Sequence, residues 1–164
     1  MSNKRLVQCP ECKYEFQVFA SRDTSNGHRG AKELIYFLNT QTIYEAFPEP
    51  KSSRHRPSGV GMRPDIKLKE MNALPGQGFI FVERQEQNTP GTGSEKVANK
   101  IHKANEALRD RKVISYWVVL GGSRTDLLKK VAKDTLGRGG AYPHERLHVV
   151  TEREFIEKAY FGAL

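Results

Sequence analysis

The chain has 164 residues, a length that fits one domain with a small appendage. Hydrophobic residues make up 37% of it, enough for a globular core, yet no apolar run approaches the roughly 18 residues that span a bilayer. Lys and Arg number 27 against 19 Asp and Glu, a formal net charge of +8 that favours nucleic acid as partner ahead of a membrane surface. A basic protein whose charge serves solubility alone is the alternative. The polar, basic start of the chain does not resemble a signal peptide, so we expect a cytoplasmic protein.

The first segment, residues 1–27, is predicted to be a small zinc-knuckle-like unit followed by a linker. Cys9 and Cys12 have the C-x-x-C spacing of a zinc site, but a tetrahedral site needs four ligands. His28, His55 or a second subunit could supply the others. The alternative is a pair of free thiols in a small ribbon, and two neighbouring cysteines do not indicate a disulfide framework.

The second segment, residues 28–164, shows alternating helix and strand patterns. Its predicted elements, in chain order, are a helix at 30–39, strands at 42–47, 63–68 and 78–85, a helix at 94–110, a strand at 113–120, a helix at 126–136, a strand at 147–150 and a helix ending near 161. Thr151 and Glu154 form a capping box that starts the last helix. This order predicts an α/β fold with a mixed central sheet and helices on both faces.

Acidic residues are predicted to meet on two strands of this sheet. Glu83 and Gln85 are two residues apart on one strand and so point to the same face, while Asp65 belongs to the preceding strand. Paired carboxylates suit Mg²⁺, and in a basic protein they indicate metal-assisted cleavage of a phosphodiester. Phe79 and Phe81 share the face, which favours partial burial and therefore a metal or another partner. The alternative is a solvated strand face with Asp65 starting a turn.

The acidic residues are part of a longer pattern along the chain. Its members are Pro64-Asp65, Glu83-Arg84-Gln85, Gln87, Gly91-Thr92 and Glu95-Lys96. The pattern resembles the PD-(D/E)XK nuclease superfamily, which includes most type II restriction endonucleases, over roughly residues 28–160. Gln85 stands where that family usually has Lys. The predicted order of elements agrees with the family core of a helix, a three-stranded meander, a crossover helix and a further strand.

The resemblance implies a restriction-endonuclease-like core and a DNA endonuclease that depends on Mg²⁺ or Mn²⁺. Asp65 and Glu83 would be the metal ligands, and Gln85 and Glu33 would be further catalytic residues, Glu33 from the first helix. The expected substrate is double-stranded DNA, cut by a homodimer in a restriction-type or homing-type reaction. The alternatives are a repair or recombination nuclease, a nuclease of structured or RNA substrates, and a non-catalytic DNA-binding protein with a degenerate nuclease core.

Basic and amide side chains near the acidic residues are candidate DNA contacts. They are Arg54, Arg56, Lys67, Gln87, Lys96 and Lys100. Arg54 and Arg56 lie in a predicted loop, and Lys67 follows Asp65 by two residues. Lys96 and Lys100 lie on the predicted 94–110 helix. The alternative is that these cations are a solvated loop and the wet face of a helix.

Overall fold

The computed structural model describes residues 4–8, 15–19, 27–48, 64–87, 93–138 and 145–164. Its first two strands, β1 (Lys4–Gln8) and β2 (Glu15–Phe19), pair antiparallel as a separate two-stranded sheet that sequence patterns did not predict. Cys9 and Cys12 lie outside the described residues, so the zinc knuckle stays a prediction.

The other elements form the α/β unit that the sequence predicts. In chain order they are α1 (Gly27–Gln41), β3 (Tyr44–Pro48), β4 (Ile66–Glu70), β5 (Phe79–Glu86), α2 (Gly93–Ala107), β6 (Val113–Gly121), α3 (Thr125–Arg138), β7 (Leu147–Thr151) and α4 (Glu152–Tyr160). The five strands lie in the order β3-β4-β5-β6-β7. The first three pair antiparallel as a meander, and β5, β6 and β7 run parallel, connected by α2 and α3. The predicted mixed sheet is thereby confirmed.

Helices cover the sheet on both faces, as predicted. Helices α1 and α4 pack on one face, where Ile80 and Val82 of β5 are buried in a first core. Helices α2 and α3 pack on the other face, where Phe79 and Phe81 of the same strand are buried in a second core. Successive residues of a strand point to opposite faces, so β5 contributes to both cores. None of these helices in the described chain has both the length and the apolar composition needed to cross a membrane.

Strand β6 is the most apolar element and lies between two parallel neighbours. Its residues 115–121 are all buried, as expected for a parallel strand covered on both faces. Trp117 is 2% exposed, and its Nε1 donates a hydrogen bond to Ser115 Oγ at 3.0 Å. The His148 ring of β7 stacks on Trp117 with the ring centroids 4.1 Å apart. Because both neighbours of β6 are parallel to it, the carboxyl ends of β5, β6 and β7 meet at one edge.

The predicted capping box at the start of α4 is confirmed. Thr151 Oγ1 accepts a hydrogen bond from the backbone N–H of Glu154, and the Glu154 carboxylate accepts from the backbone N–H of Thr151 at 2.7 Å. The box satisfies two helix-end donors and fixes α4 directly after β7.

We expect Thr151→Ala to lower the free energy of unfolding by about 1 kcal/mol, because the cap hydrogen bond is lost. Thr135→Ala is the matched control, since that hydroxyl bonds only to the Val131 carbonyl within α3 and its loss should change stability by less than about 0.5 kcal/mol. Denaturant unfolding of both variants measures the difference. Equal losses would contradict a stabilising capping box.

Candidate active site

The two predicted acidic residues lie side by side at the carboxyl end of β5. Strands β4 and β5 are antiparallel with Ile66 opposite Val82, so the next step of the register sets Asp65 beside Glu83. Asp65 Oδ2 accepts a hydrogen bond from the backbone N–H of Arg84 at 2.8 Å. That bond holds the aspartate against β5, and the two carboxylates face the helix α2 side of the sheet.

Glu83 is buried, with only 3% of the residue exposed. Its Oε2 accepts a hydrogen bond from Lys100 Nζ at 2.8 Å, and the two charged groups form an ion pair. The Tyr116 hydroxyl of β6 is also hydrogen-bonded to the Glu83 side chain. A buried carboxylate is costly without such partners, so the ammonium and the phenol account for its place in the core.

Burial raises the pKa of Tyr116 well above its ordinary value, and the neighbouring Glu83 carboxylate raises it further. The phenol therefore acts as a hydrogen-bond donor to Glu83 rather than as a base. The Phe81 ring packs edge-on against Tyr116 with centroids 5.9 Å apart, which keeps that side of the site apolar.

The Lys100 side chain lies between the two carboxylates, although the sequence suggested only a DNA contact for it. Its ammonium lies 3.9 Å from Asp65 Oδ2 as well as 2.8 Å from Glu83 Oε2. Helix α2 buries Val97 and Ala104, three residues before Lys100 and four after it. This spacing sets Lys100 at the margin of the buried helix face. The periodicity could have predicted that margin position, but the contact with Glu83 depends on where the helix packs.

The two glutamines of the motif are both buried. The Gln85 Nε2 donates to the backbone carbonyl of Glu86 at 3.1 Å, so its oxygen is the atom it can offer to the site. Gln87 follows β5 directly. Its backbone N–H donates to the carbonyl of Gly121 at the end of β6, and its carbonyl accepts from the N–H of Arg124 in the β6–α3 connection. Gln87 thus also helps to fix the end of β5 against its neighbour.

Glu33 is not gathered with Asp65 and Glu83. It lies on α1, which packs on the opposite face of the sheet from Glu83. In the described parts of the chain, no group of three or more His, Cys, Asp or Glu side chains could hold a metal. The candidate centre therefore consists of two carboxylates, the Gln85 amide and the Lys100 ammonium.

The remaining candidate DNA contacts lie around this centre or outside the described residues. Lys67 lies on the Asp65 side of β4, with its ammonium 4.2 Å from the centroid of the Phe79 ring. Burial lowers its pKa, and Lys69 lowers it further. Lys96 is exposed on α2, one turn before Lys100. Two predicted contacts, at positions 54 and 56, lie outside the described residues.

A second polar cluster lies on the opposite face of β5. The Arg84 guanidinium pairs with the Glu86 carboxylate through Nη1 and with Glu152 Oε2 through Nη2, the latter at 2.9 Å. An added Cβ at Gly30 of α1 would collide with the guanidinium, and one at Gly121 would crowd both Arg84 and Glu152. The two glycines therefore leave room for this arginine. Sequence patterns did not suggest the cluster because its members come from β5 and α4.

The cluster fixes the strand that carries Glu83. The Arg84 side chain is 7% exposed, against 16% for Glu86 and 27% for Glu152. Burial alone would lower the pKa of Arg84, but the Glu152 and Glu86 carboxylates hold that pKa above its ordinary value. The arginine thus anchors the end of β5 to α4 from behind the carboxylate pair.

The donor set of the centre fits Mg²⁺. This ion prefers hard oxygen ligands, keeps several waters and is commonly held by one or two carboxylates. The Asp65 side chain is 39% exposed, so solvent reaches the carboxylate pair at Asp65, whereas Glu83 is buried. Asp65 and Glu83 would hold the ion, and the Gln85 oxygen is a third candidate donor.

The chain matches no family model, no curated protein and no solved structure in comparisons with known proteins.

We expect Arg84→Leu to destabilise the fold by roughly 3 kcal/mol, because two carboxylates lose their common cation in a largely buried setting. Arg153→Leu is the matched control, since Arg153 pairs with Glu157 on the exposed face of α4 and should cost less than about 1 kcal/mol. Denaturant unfolding of the two variants measures both costs. A loss at position 84 no larger than the control would contradict an anchoring role.

Stability at high pH should report on Tyr116. The pKa of Tyr116 is higher in the folded than in the unfolded chain. The contribution of Tyr116 to the free energy of unfolding is therefore complete below pH 10, the ordinary pKa of the phenol, and is lost as the pH rises above it, because the unfolded chain ionises first. We expect the unfolding free energy to fall with pH more steeply in the wild type than in Tyr116→Phe, by up to about 1.4 kcal/mol per pH unit. Unfolding curves between pH 9 and pH 11 measure both slopes, and parallel slopes would contradict the buried neutral phenol.

Proposed function

We infer that this protein is a Mg²⁺-dependent endonuclease that hydrolyses phosphodiester bonds in double-stranded DNA. The observation that carries this proposal is the Asp65–Glu83 carboxylate pair at the end of adjoining strands, with Lys100 between the two carboxylates. A basic chain with a formal net charge of +8 supports a polyanionic substrate.

The arrangement of elements supports the resemblance to the PD-(D/E)XK superfamily. Helix α1, the meander β3-β4-β5, helix α2 and strand β6 follow in the order of that family's core. Asp65 precedes the second strand of the meander, and Glu83 and Gln85 lie near the end of the third. We therefore propose a restriction-endonuclease-like core for residues 28–164.

Each side chain of the centre has a role that its chemistry permits. Asp65 and Glu83 would hold the ion, which when bound would supply a Lewis acid for the charge that develops on the phosphate. Gln85 is neutral, so it would orient the attacking water or the phosphate rather than remove a proton. Lys67 and Lys96 would contact neighbouring phosphates.

A homodimer is the assembly we propose, because one small subunit with one centre cuts one strand and a two-fold axis matches duplex DNA. Sequence-specific cleavage of the restriction or homing type follows from the resemblance. A repair or recombination nuclease would use the same centre on the same kind of substrate.

A DNA-binding protein without catalysis is the second candidate. Two observations favour it: Gln85 takes the position of the expected lysine, and the Glu83 carboxylate is already paired with Lys100 at 2.8 Å. A degenerate nuclease core would retain a basic surface, and its Glu83 carboxylate would be neutralised by Lys100.

Cleavage of supercoiled plasmid and of long linear DNA, with Mg²⁺ or Mn²⁺ and with EDTA, tests the proposal. We expect metal-dependent cleavage that falls by more than about 100-fold in Asp65→Asn and in Glu83→Gln, because each loses a charged metal ligand. Glu70→Gln is the matched control: Glu70 is an exposed carboxylate at the far end of β4 and should keep wild-type activity.

Discrete fragments from linear DNA would support sequence specificity. Binding to DNA with no metal-dependent cleavage, unchanged in the Asp65 and Glu83 variants, would favour the second candidate. Circular dichroism of each variant checks that its fold is retained.

A further inference from the structure

One ammonium occupies the place between the two carboxylates. Lys100 Nζ lies 2.8 Å from Glu83 Oε2 and 3.9 Å from Asp65 Oδ2. The three side chains differ in exposure, at 4% for Glu83, 18% for Lys100 and 39% for Asp65. The ammonium therefore lies between a buried carboxylate and one that faces solvent.

The ammonium and a divalent cation need the same oxygens. Glu83 Oε2 is the atom that Lys100 binds, and it belongs to the carboxylate that would ligate a metal ion. A metal–oxygen bond of about 2.1 Å would bring a divalent cation close to an ammonium that stays on Glu83. Like charges at such separations repel strongly in a site shielded from water. The two cations would therefore compete for Glu83.

The Lys100 ammonium can move away from Glu83 toward solvent. The Lys100 backbone is fixed by helix α2, where Val97, Ile101 and Ala104 are buried, but its four-carbon stem is flexible. Asp65 marks the exposed side of the site. An ammonium that leaves Glu83 in that direction enters the space where a phosphodiester would approach the carboxylate pair.

The charge balance agrees with such an exchange. Two carboxylates and one ammonium give the centre one formal negative charge. A divalent cation turns this into one positive charge, which complements a phosphodiester. Gln85 contributes no charge, so Lys100 from α2 is the cation that the centre itself can offer to a phosphate.

We propose that Lys100 is an exchangeable internal counter-ion of the active centre. It neutralises Glu83 in the metal-free protein, competes with a divalent cation for that carboxylate, and passes to the substrate phosphate when the metal binds. The competition rests on the divalent cation of the proposed function but not on DNA cleavage, which bears only on the last step.

Metal binding without DNA tests the competition. The Mg²⁺ dependence of unfolding and calorimetric titration with Mg²⁺ both report affinity. We expect Lys100→Met to bind Mg²⁺ at least about tenfold more tightly than the wild type, because the competing charge is removed. Lys100→Arg keeps the charge, and Lys103→Met removes an exposed lysine of the same helix, so both should stay within about twofold of the wild type.

Lys100→Gln serves if the methionine variant does not fold, because it keeps a hydrogen-bond donor for Glu83 without the charge. Unchanged or weaker Mg²⁺ affinity in the folded, uncharged variant would overturn the proposal, whatever the cleavage assay shows. Tighter binding in a protein that does not cleave DNA would support the counter-ion and leave the nuclease assignment refuted.

If the wild-type protein cleaves DNA, a second measurement tests whether Lys100 passes to the substrate phosphate. We expect Lys100→Met to lose about 100-fold or more in cleavage rate while binding Mg²⁺ more tightly, and Lys100→Arg to retain part of the rate. Cleavage at the wild-type rate in Lys100→Met would overturn the role toward phosphate.

Discussion

Burial of an ionised carboxylate is the constraint on which this structure depends. Glu83 is 3% exposed at the centre of the sheet, where a carboxylate without partners would cost several kcal/mol. Lys100 from α2 and the Tyr116 hydroxyl from β6 supply those partners. Helix α2 and strand β6 are therefore joined to β5 by polar bonds as well as by their apolar cores. A site built on regular elements in this way is held more firmly than one on loops.

Strand β5 carries polar groups on both of its faces. Glu83 and Gln85 face α2, while Arg84 and Glu86 face α1 and α4, because neighbouring residues of a strand alternate. The backbone N–H of Arg84 bonds Asp65 in front, and its guanidinium binds Glu152 behind. One residue thus connects the carboxylate pair to the last helix. A change behind the sheet can displace Glu83 without touching it.

The exposure of the three charged side chains increases from the buried to the solvent side of the centre. Glu83 is deep, Lys100 is intermediate and Asp65 is open to solvent. In the exchange that we propose, a divalent cation from solvent would meet Asp65 first and would then compete with Lys100 for Glu83. Lys100 neutralises the buried Glu83 carboxylate through an ion pair of 2.8 Å.

Periodicity predicted the order of the elements from α1 to α4, the mixed sheet and the buried strand at Trp117, and it set Asp65 and Glu83 on two strands of that sheet. These features follow from the spacing of residues within each element and from the order of the elements along the chain. The pair of strands β1 and β2 was not predicted. Boundaries shifted by a few residues, as for the strand predicted at 63–68 and observed at Ile66–Glu70. Tertiary structure alone decided that Lys100 enters the centre and that Glu33 lies on the other face. Those outcomes depend on which face of the sheet each helix covers, and no local pattern encodes the face on which a distant helix packs.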